Sequence, residues 1–267
     1  MSLSLDARQR AMLAEMGIRV WLPDAAAAPE PAAPPAASTL PRVQEAETPA
    51  PMARAAAAAG AAPRALPAEV AAMDWDALEQ AVAGCRACGL CQTRKQAVFG
   101  VGHRQARWLV VGEAPGEQED LRGEPFVGQA GQLLDNMLKA IGLDRHAHDA
   151  RAVYIANVLK CRPPANRNPL PEEVLRCEPY LRRQVALLQP QIILALGRFA
   201  AQSLLQASVP DVASLPLGRL RGQVHRYEGV PVIVSYHPAY LLRTPQDKAK
   251  AWADLCLARQ LMPAPRD

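Results

Sequence analysis

The stretch that decides the fold reads WLVVGEAPGEQED, residues 108–120. Trp108 to Val111 is a short, unbroken apolar run, the pattern of a strand buried on both faces. The GEAPGE that follows is acidic and broken by glycine and proline, so the chain leaves the strand through a polar turn. Three similar runs lie downstream: Val153 to Val158 (VYIANV), Ile192 to Leu196 (IILAL) and Val230 to Val234 (VPVIV). Helical stretches separate them, at Gly131 to Ile141, Glu172 to Leu188 and Arg198 to Gln206. This alternation predicts an α/β chain with a parallel sheet covered on both faces. Upstream, MDWDALEQAVAGC predicts a helix with Asp74 as its N-cap. No internal repeat is visible.

The unusual residues cluster at the strand exits. GEAPGE follows the first run, Asn157 ends the second, Gly197 follows the third and SYHPAY the fourth. Ligands of open α/β sheets bind beyond the carboxyl ends of the strands, so four polar or glycine-bearing exits are expected to meet at one site.

Residues from about Pro23 to Pro67 are dominated by alanine and proline, a composition that cannot pack a core and reads as a disordered linker. The chain therefore divides into residues 1–22, a linker over 23–70, and a domain over 71–267. In the first part, Leu5, Ala11, Met12, Met16, Val20 and Trp21 fall on one side of a short amphipathic helix, the alternative being a frayed terminus. Its EMGIRVW (15–21) is similar to the N-terminal peptide of the psi subunit of bacterial clamp loaders. That implies a replication or repair protein docking there. No apolar run approaches the roughly 18 residues a membrane span needs, and the start MSLSLDARQR lacks a signal-peptide core. A cytoplasmic protein is expected.

The formal charge of +4 hides an asymmetry. From Cys85 onward there are 24 Lys and Arg against 16 Asp and Glu, and before it 6 against 10. A basic globular part suits a polyanionic partner. All six cysteines lie at or beyond Cys85. Cys85, Cys88 and Cys91 form CRACGLC, with Cys161 and Cys177 far downstream. A CxxC plus two distant cysteines can bind zinc or an iron–sulfur cluster, and spacing does not choose between them, nor between Cys91 and Cys177 as the fourth ligand.

Seven motifs stand in order between about Cys85 and Leu261: CRAC, VFGVG, VVGEAPGEQED, PFVGQAGQLLD, NVLKCRPPANRNP, ALG and YHPAYLLR. In this set and order the chain resembles the family 4, or iron–sulfur, uracil-DNA glycosylases of the uracil-DNA glycosylase superfamily. The resemblance implies a three-layer α/β/α sandwich around a four-stranded parallel sheet. It implies one structural 4Fe-4S cluster on Cys85, Cys88, Cys161 and Cys177, with Cys91 outside, and no divalent cation. The partner would be uracil-containing DNA and the protein a monomer.

The resemblance also implies roles. Asn157 would read the edge of a flipped uracil, Phe126 would stack on it, and the Ala114 backbone would contact it. His237 would donate to the developing charge on O2. Glu113 would orient water, offset the cationic sugar or crowd a thymine methyl. Glu119 would be catalytic, and Asn166 would hold its loop or help position water. Phosphates would be met by backbone N–H groups near Gly128, Ala130 and Gly131, and by Arg162 and Arg167. Tyr240, Leu241, Leu242 and Arg243 would enter the duplex. The rivals are a metal-dependent phosphoesterase using Glu113, Glu119 and Asp120, and a non-catalytic iron–sulfur DNA-binding protein. A dinucleotide site fails because GEAPGE lacks GxGxxG.

Overall fold

The computed structural model describes residues 68–262. The expected helix over residues 1–22 and nearly all of the linker lie outside the described residues. Helix α1 (Ala68–Ala72) takes the last three positions assigned to the linker. Helix α2 (Trp75–Ala83) starts as its sequence predicts, with the Asp74 carboxylate accepting the Ala77 N–H at 2.9 Å. Its Leu78 and Val82, four residues apart, share one buried face against Phe99.

Six strands form one sheet: β1 (Val101–Gly102), β2 (Trp108–Gly112), β3 (Val153–Asn157), β4 (Ile192–Leu196), β5 (Val224–Tyr227) and β6 (Val230–Ser235), in the order β1-β3-β2-β4-β6-β5. The four expected strands are its parallel centre. Val110 faces Ile155 on one side and Leu194 on the other, and Leu194 in turn faces Ile233. The sheet differs from the four-stranded expectation by an antiparallel strand at each edge. β1 is two residues long, and VHRY of β5 alternates with solvent, so neither carries an apolar run that sequence patterning detects.

Because successive strand residues point to opposite faces, the apolar runs feed two cores at once. Leu109, Val111, Tyr154, Ala156, Ile193 and Ala195 pack beneath helices α5 (Pro171–Leu188) and α6 (Arg198–Leu205). Trp108, Val110, Val153, Ile155, Ile192 and Leu194 pack beneath α4 (Gln129–Ala140) and α9 (Lys248–Leu261). The result is the expected α/β/α sandwich, and each buried Leu, Ile or Val among these contributes about 1.5–3 kcal/mol. Three short helices complete it: α3 (Glu117–Arg122), α7 (Leu217–Leu220) and α8 (Pro238–Arg243). After β2 the chain builds β3 on one side, then crosses to β4 on the other. This topological switch opens a crevice at the carboxyl ends of β2 and β4. Among the described residues, no helix is long and apolar enough to cross a membrane.

Candidate active site

A cleft of about 640 Å³ occupies that crevice. Its walls bring together Glu113 and Ala114 beyond β2, Asn157 at the end of β3, Gly197 and Arg198 beyond β4, and His237 beyond β6. The four strand exits converge as patterning predicts.

Gly112 makes the floor. A Cβ there would lie 2.4 Å from Asn157 Oδ1 and 2.6 Å from Phe126 Cζ, so only glycine lets amide and ring approach this closely. Asn157 is 2% exposed, and its Oδ1 has no hydrogen-bond partner. Leaving such an acceptor unpaired costs about 1–3 kcal/mol, which a ligand offering an N–H would relieve.

Phe126 has φ 56°, a strained backbone for an aromatic residue. Three contacts hold it there. The Glu119 carboxylate accepts Val127 N–H at 2.9 Å, Arg145 Nη1 donates to the Pro125 carbonyl at 3.1 Å, and Gly131 lets the Phe126 carbonyl pack against α4. The Phe126 ring stacks on that of His237, centroids 5.4 Å apart.

His237 Nδ1 accepts the Ala239 N–H at 3.2 Å, capping α8. Burial pushes the imidazole down to about 4, with Arg243 adding to the effect and Glu119 opposing it. The ring is therefore neutral near pH 7, and with Nδ1 accepting, its proton is on Nε2, which becomes a donor. Burial drives Glu113 the other way, up to about 7, with the nearby Arg198 guanidinium opposing the rise.

Glu119, which also lines the cleft, holds two loops together. Its carboxylate accepts Gly116 N–H at 3.1 Å, as well as Val127 and Gly128 N–H, tying the GEAPGE turn to the loop that carries Phe126. Gly128 N–H is thereby committed, and Gly131 serves close packing, a Cβ there falling 1.8 Å from the Phe126 carbonyl oxygen. Ala130 does line the cleft. Asp120 turns away to accept Lys95 N–H at 2.9 Å, so the three carboxylates of the phosphoesterase rival do not converge.

The loop after β3 carries Asn166 at φ 53°, its Oδ1 accepting Arg162 Nε at 2.8 Å. Arg167 Nη1 donates to Glu173 at 2.9 Å. Both arginines are thus engaged within the fold, although Arg167 and Asn166 reach the cleft wall. On α8, Tyr240 and Arg243 line the cleft. Leu242 is 42% exposed, but Leu241 is 1% exposed in the core; the expectation that Leu241 meets a duplex is corrected, because neighbours on a one-turn helix point in different directions. Sequence reading passed over Arg198 and Tyr236, both in the cleft wall. Arg198 was signalled only by following Gly197 at a strand exit.

A second, much smaller cavity is lined by Cys85, Cys88, Cys91, Cys161 and Cys177. Burial pushes the Cys177 thiol up to about 12 and raises Cys161 and Cys88 as well. Arg94 Nη1 donates to Cys161 Sγ at 2.9 Å, and Nη2 to the Ala83 and Cys85 carbonyls. Among the described residues, no three His, Cys, Asp or Glu side chains are gathered tightly enough for a single metal ion.

The model of the Uracil DNA glycosylase superfamily matches residues 99–256, more than half of the chain. The chain belongs to this superfamily. Among curated relatives within it, the Type-4 uracil-DNA glycosylase of Archaeoglobus fulgidus is 47% identical, the match covering 64% of this chain and 84% of that protein. The Type-4 uracil-DNA glycosylase of Sulfurisphaera tokodaii is 40% identical over 71% of this chain and 85% of its own. For that of Pyrobaculum aerophilum the figures are 41%, 69% and 93%. The superfamily match spans every element of the cleft, from before β2 to within α9.

Proposed function

We propose that this protein is a uracil-DNA glycosylase. It hydrolyses the N-glycosidic bond of a uracil flipped out of DNA, leaving an abasic site for base excision repair. One observation carries the reading of the cleft: the buried, unpartnered Oδ1 of Asn157. Uracil presents N3–H as a donor and O4 as an acceptor, so the amide pairs with both. Cytosine has no hydrogen on N3 and would leave Oδ1 unpaired, a difference of about 1–3 kcal/mol.

The flipped base is sandwiched on the Phe126 ring, an interaction worth about 1–3 kcal/mol whatever the base. As the bond from C1′ to N1 stretches, negative charge gathers on uracil O2 and positive charge on the sugar. Neutral His237 donates from Nε2 to O2. Glu113, once ionised, faces the sugar and the water that adds to C1′. Glu119 acts as a positioning residue. Leu242, exposed at the tip of α8, fills the gap left in the stack, and Tyr240, Arg243, Arg198 and the Ala130 N–H face the backbone.

Cys85, Cys88, Cys161 and Cys177 would hold a 4Fe-4S cluster. An all-thiol donor set, spread around a cavity rather than gathered on one point, fits a multi-atom group. When bound, the cluster supplies a cross-link between the turn after α2, the loop after β3, and α5. No divalent cation enters the chemistry.

The test is an oligonucleotide with one uracil, incubated with protein in EDTA and scored for alkali-labile abasic sites. Product at uracil and not at cytosine or thymine is expected. Asn157→Ala should lower the rate by about tenfold to a hundredfold or more. Binding of DNA without product, by protein with intact cluster absorbance, would replace the reading with that of a non-catalytic DNA-binding protein.

A further inference from the structure

Lys160 is one of the largest fully buried side chains, 1% exposed, and stands three residues beyond Asn157. Its Nζ donates to the Asn157 carbonyl at 2.9 Å and to Gln184 Oε1 at 2.7 Å. Both acceptors are neutral. No Asp or Glu among the described residues pairs with it; Cys161 and Cys177 line the same cavity as Lys160. Lys160 also lines the cysteine cavity, and its backbone N–H points at Cys177 Sγ, 3.5 Å away.

A buried ammonium with only neutral partners is costly, and removing a counter-charge from such a group is strongly destabilising. Four thiolates around a cluster supply negative charge in the cavity that this lysine lines. The same Lys160 Nζ donates to the backbone carbonyl of the residue whose side chain lines the cleft. Gln184 completes the clamp, its Nε2 donating to the Phe99 carbonyl at 3.0 Å and so fixing the acceptor that Lys160 uses.

We infer that Lys160 is the buried counter-cation of the cysteine centre, and that its grip on the Asn157 carbonyl makes the placement of the uracil-reading amide depend on that centre. The inference rests on the glycosylase reading above. It makes Lys160 a positioning residue, acting through Asn157 without touching substrate.

The experiment uses the full iron-loaded chain, unaltered and as Lys160→Met and Lys160→Arg, each also combined with Asn157→Ala. Two quantities are read: the rate of iron loss to a chelator, and uracil release per iron-loaded molecule. Lys160→Met should lose iron at least about fivefold faster and excise at least about tenfold more slowly. Lys160→Arg should recover most of the iron retention. In the Asn157→Ala background the excision penalty of Lys160→Met should largely vanish, since coupled residues are not additive. Should Lys160→Met fail to fold, Lys160→Gln, which removes the charge and keeps a polar side chain, carries the same cycle. Iron retention equal to the unaltered protein, or an undiminished penalty in the Asn157→Ala background, would overturn the inference. If the unaltered iron-loaded protein released no uracil, the glycosylase reading would fall instead, and iron retention would still report on Lys160.

Discussion

Glu113 and His237 face the same cleft, and burial shifts them in opposite directions, to about 7 and about 4. Both shifts favour the neutral form. An acid at about 7 in the fold against 4.5 unfolded stays protonated where the unfolded chain has ionised. Stability therefore falls as pH rises from about 4.5 through 7 and is level above. Glu113→Gln is expected to raise Tm at pH 8 by a few degrees, about 2–4 °C for each kcal/mol recovered, while slowing uracil release. Excision by the unaltered protein is expected to climb with pH through about 7 as the carboxylate forms. A flat rate from pH 6 to 8 would remove Glu113 from the chemistry. For His237 the sign reverses: the fold keeps the ring neutral, so this contribution is lost as pH falls from 6.5 toward 4. Sequence brought out Asn157 and His237 because both sit where an apolar run stops. It did not bring out Gly112, whose role lies in an absent Cβ, nor the commitment of Glu119 to three backbone N–H groups, which needs two loops to meet.

At the level of elements, the site depends on where two helices begin. Helix α4 starts beneath the strained backbone of Phe126, and Gly131→Ala would drive a methyl into the Phe126 carbonyl. The expected outcome is a loss of about 1–3 kcal/mol in stability, as for overpacked sites, together with a rate loss at least as large as that of Phe126→Ala. Chemical denaturation and single-turnover excision check the two parts. Helix α8 carries Leu241 inward and Leu242 outward. Leu242→Ala is expected to slow excision from duplex DNA by about tenfold and to leave single-stranded substrate nearly unaffected, since only the duplex must be unstacked. Equal losses on both would refute the wedge. The same helix shows a limit of sequence reading. Four consecutive residues matched one motif, yet a turn of helix divides them between core and surface.

Across the whole molecule, the long apolar strands and periodic helices were legible because their patterns run over many residues. The edge strands were not, since two residues of β1 and an alternating VHRY carry almost no pattern. The distribution of the cysteines over the turn after α2, the loop after β3, and α5 predicts that the whole domain responds to loss of a ligand to the proposed cluster. Cys177→Ser or Cys161→Ser is expected to abolish iron binding and lower Tm by several degrees, whereas Cys91→Ser and Cys256→Ser should retain iron; iron analysis and thermal melts decide. Retention of full iron by Cys177→Ser would reassign the fourth ligand to Cys91. One feature of the sheet reaches beyond this chain. Its two borders are a pair of residues on one side and four on the other, the latter carrying His225 and Arg226. Borders this short and this polar make a poor template for an incoming strand. A protein that joins this one would then recognise side chains or a tethered peptide, and the described domain would resist the strand-to-strand aggregation that longer open sheets invite.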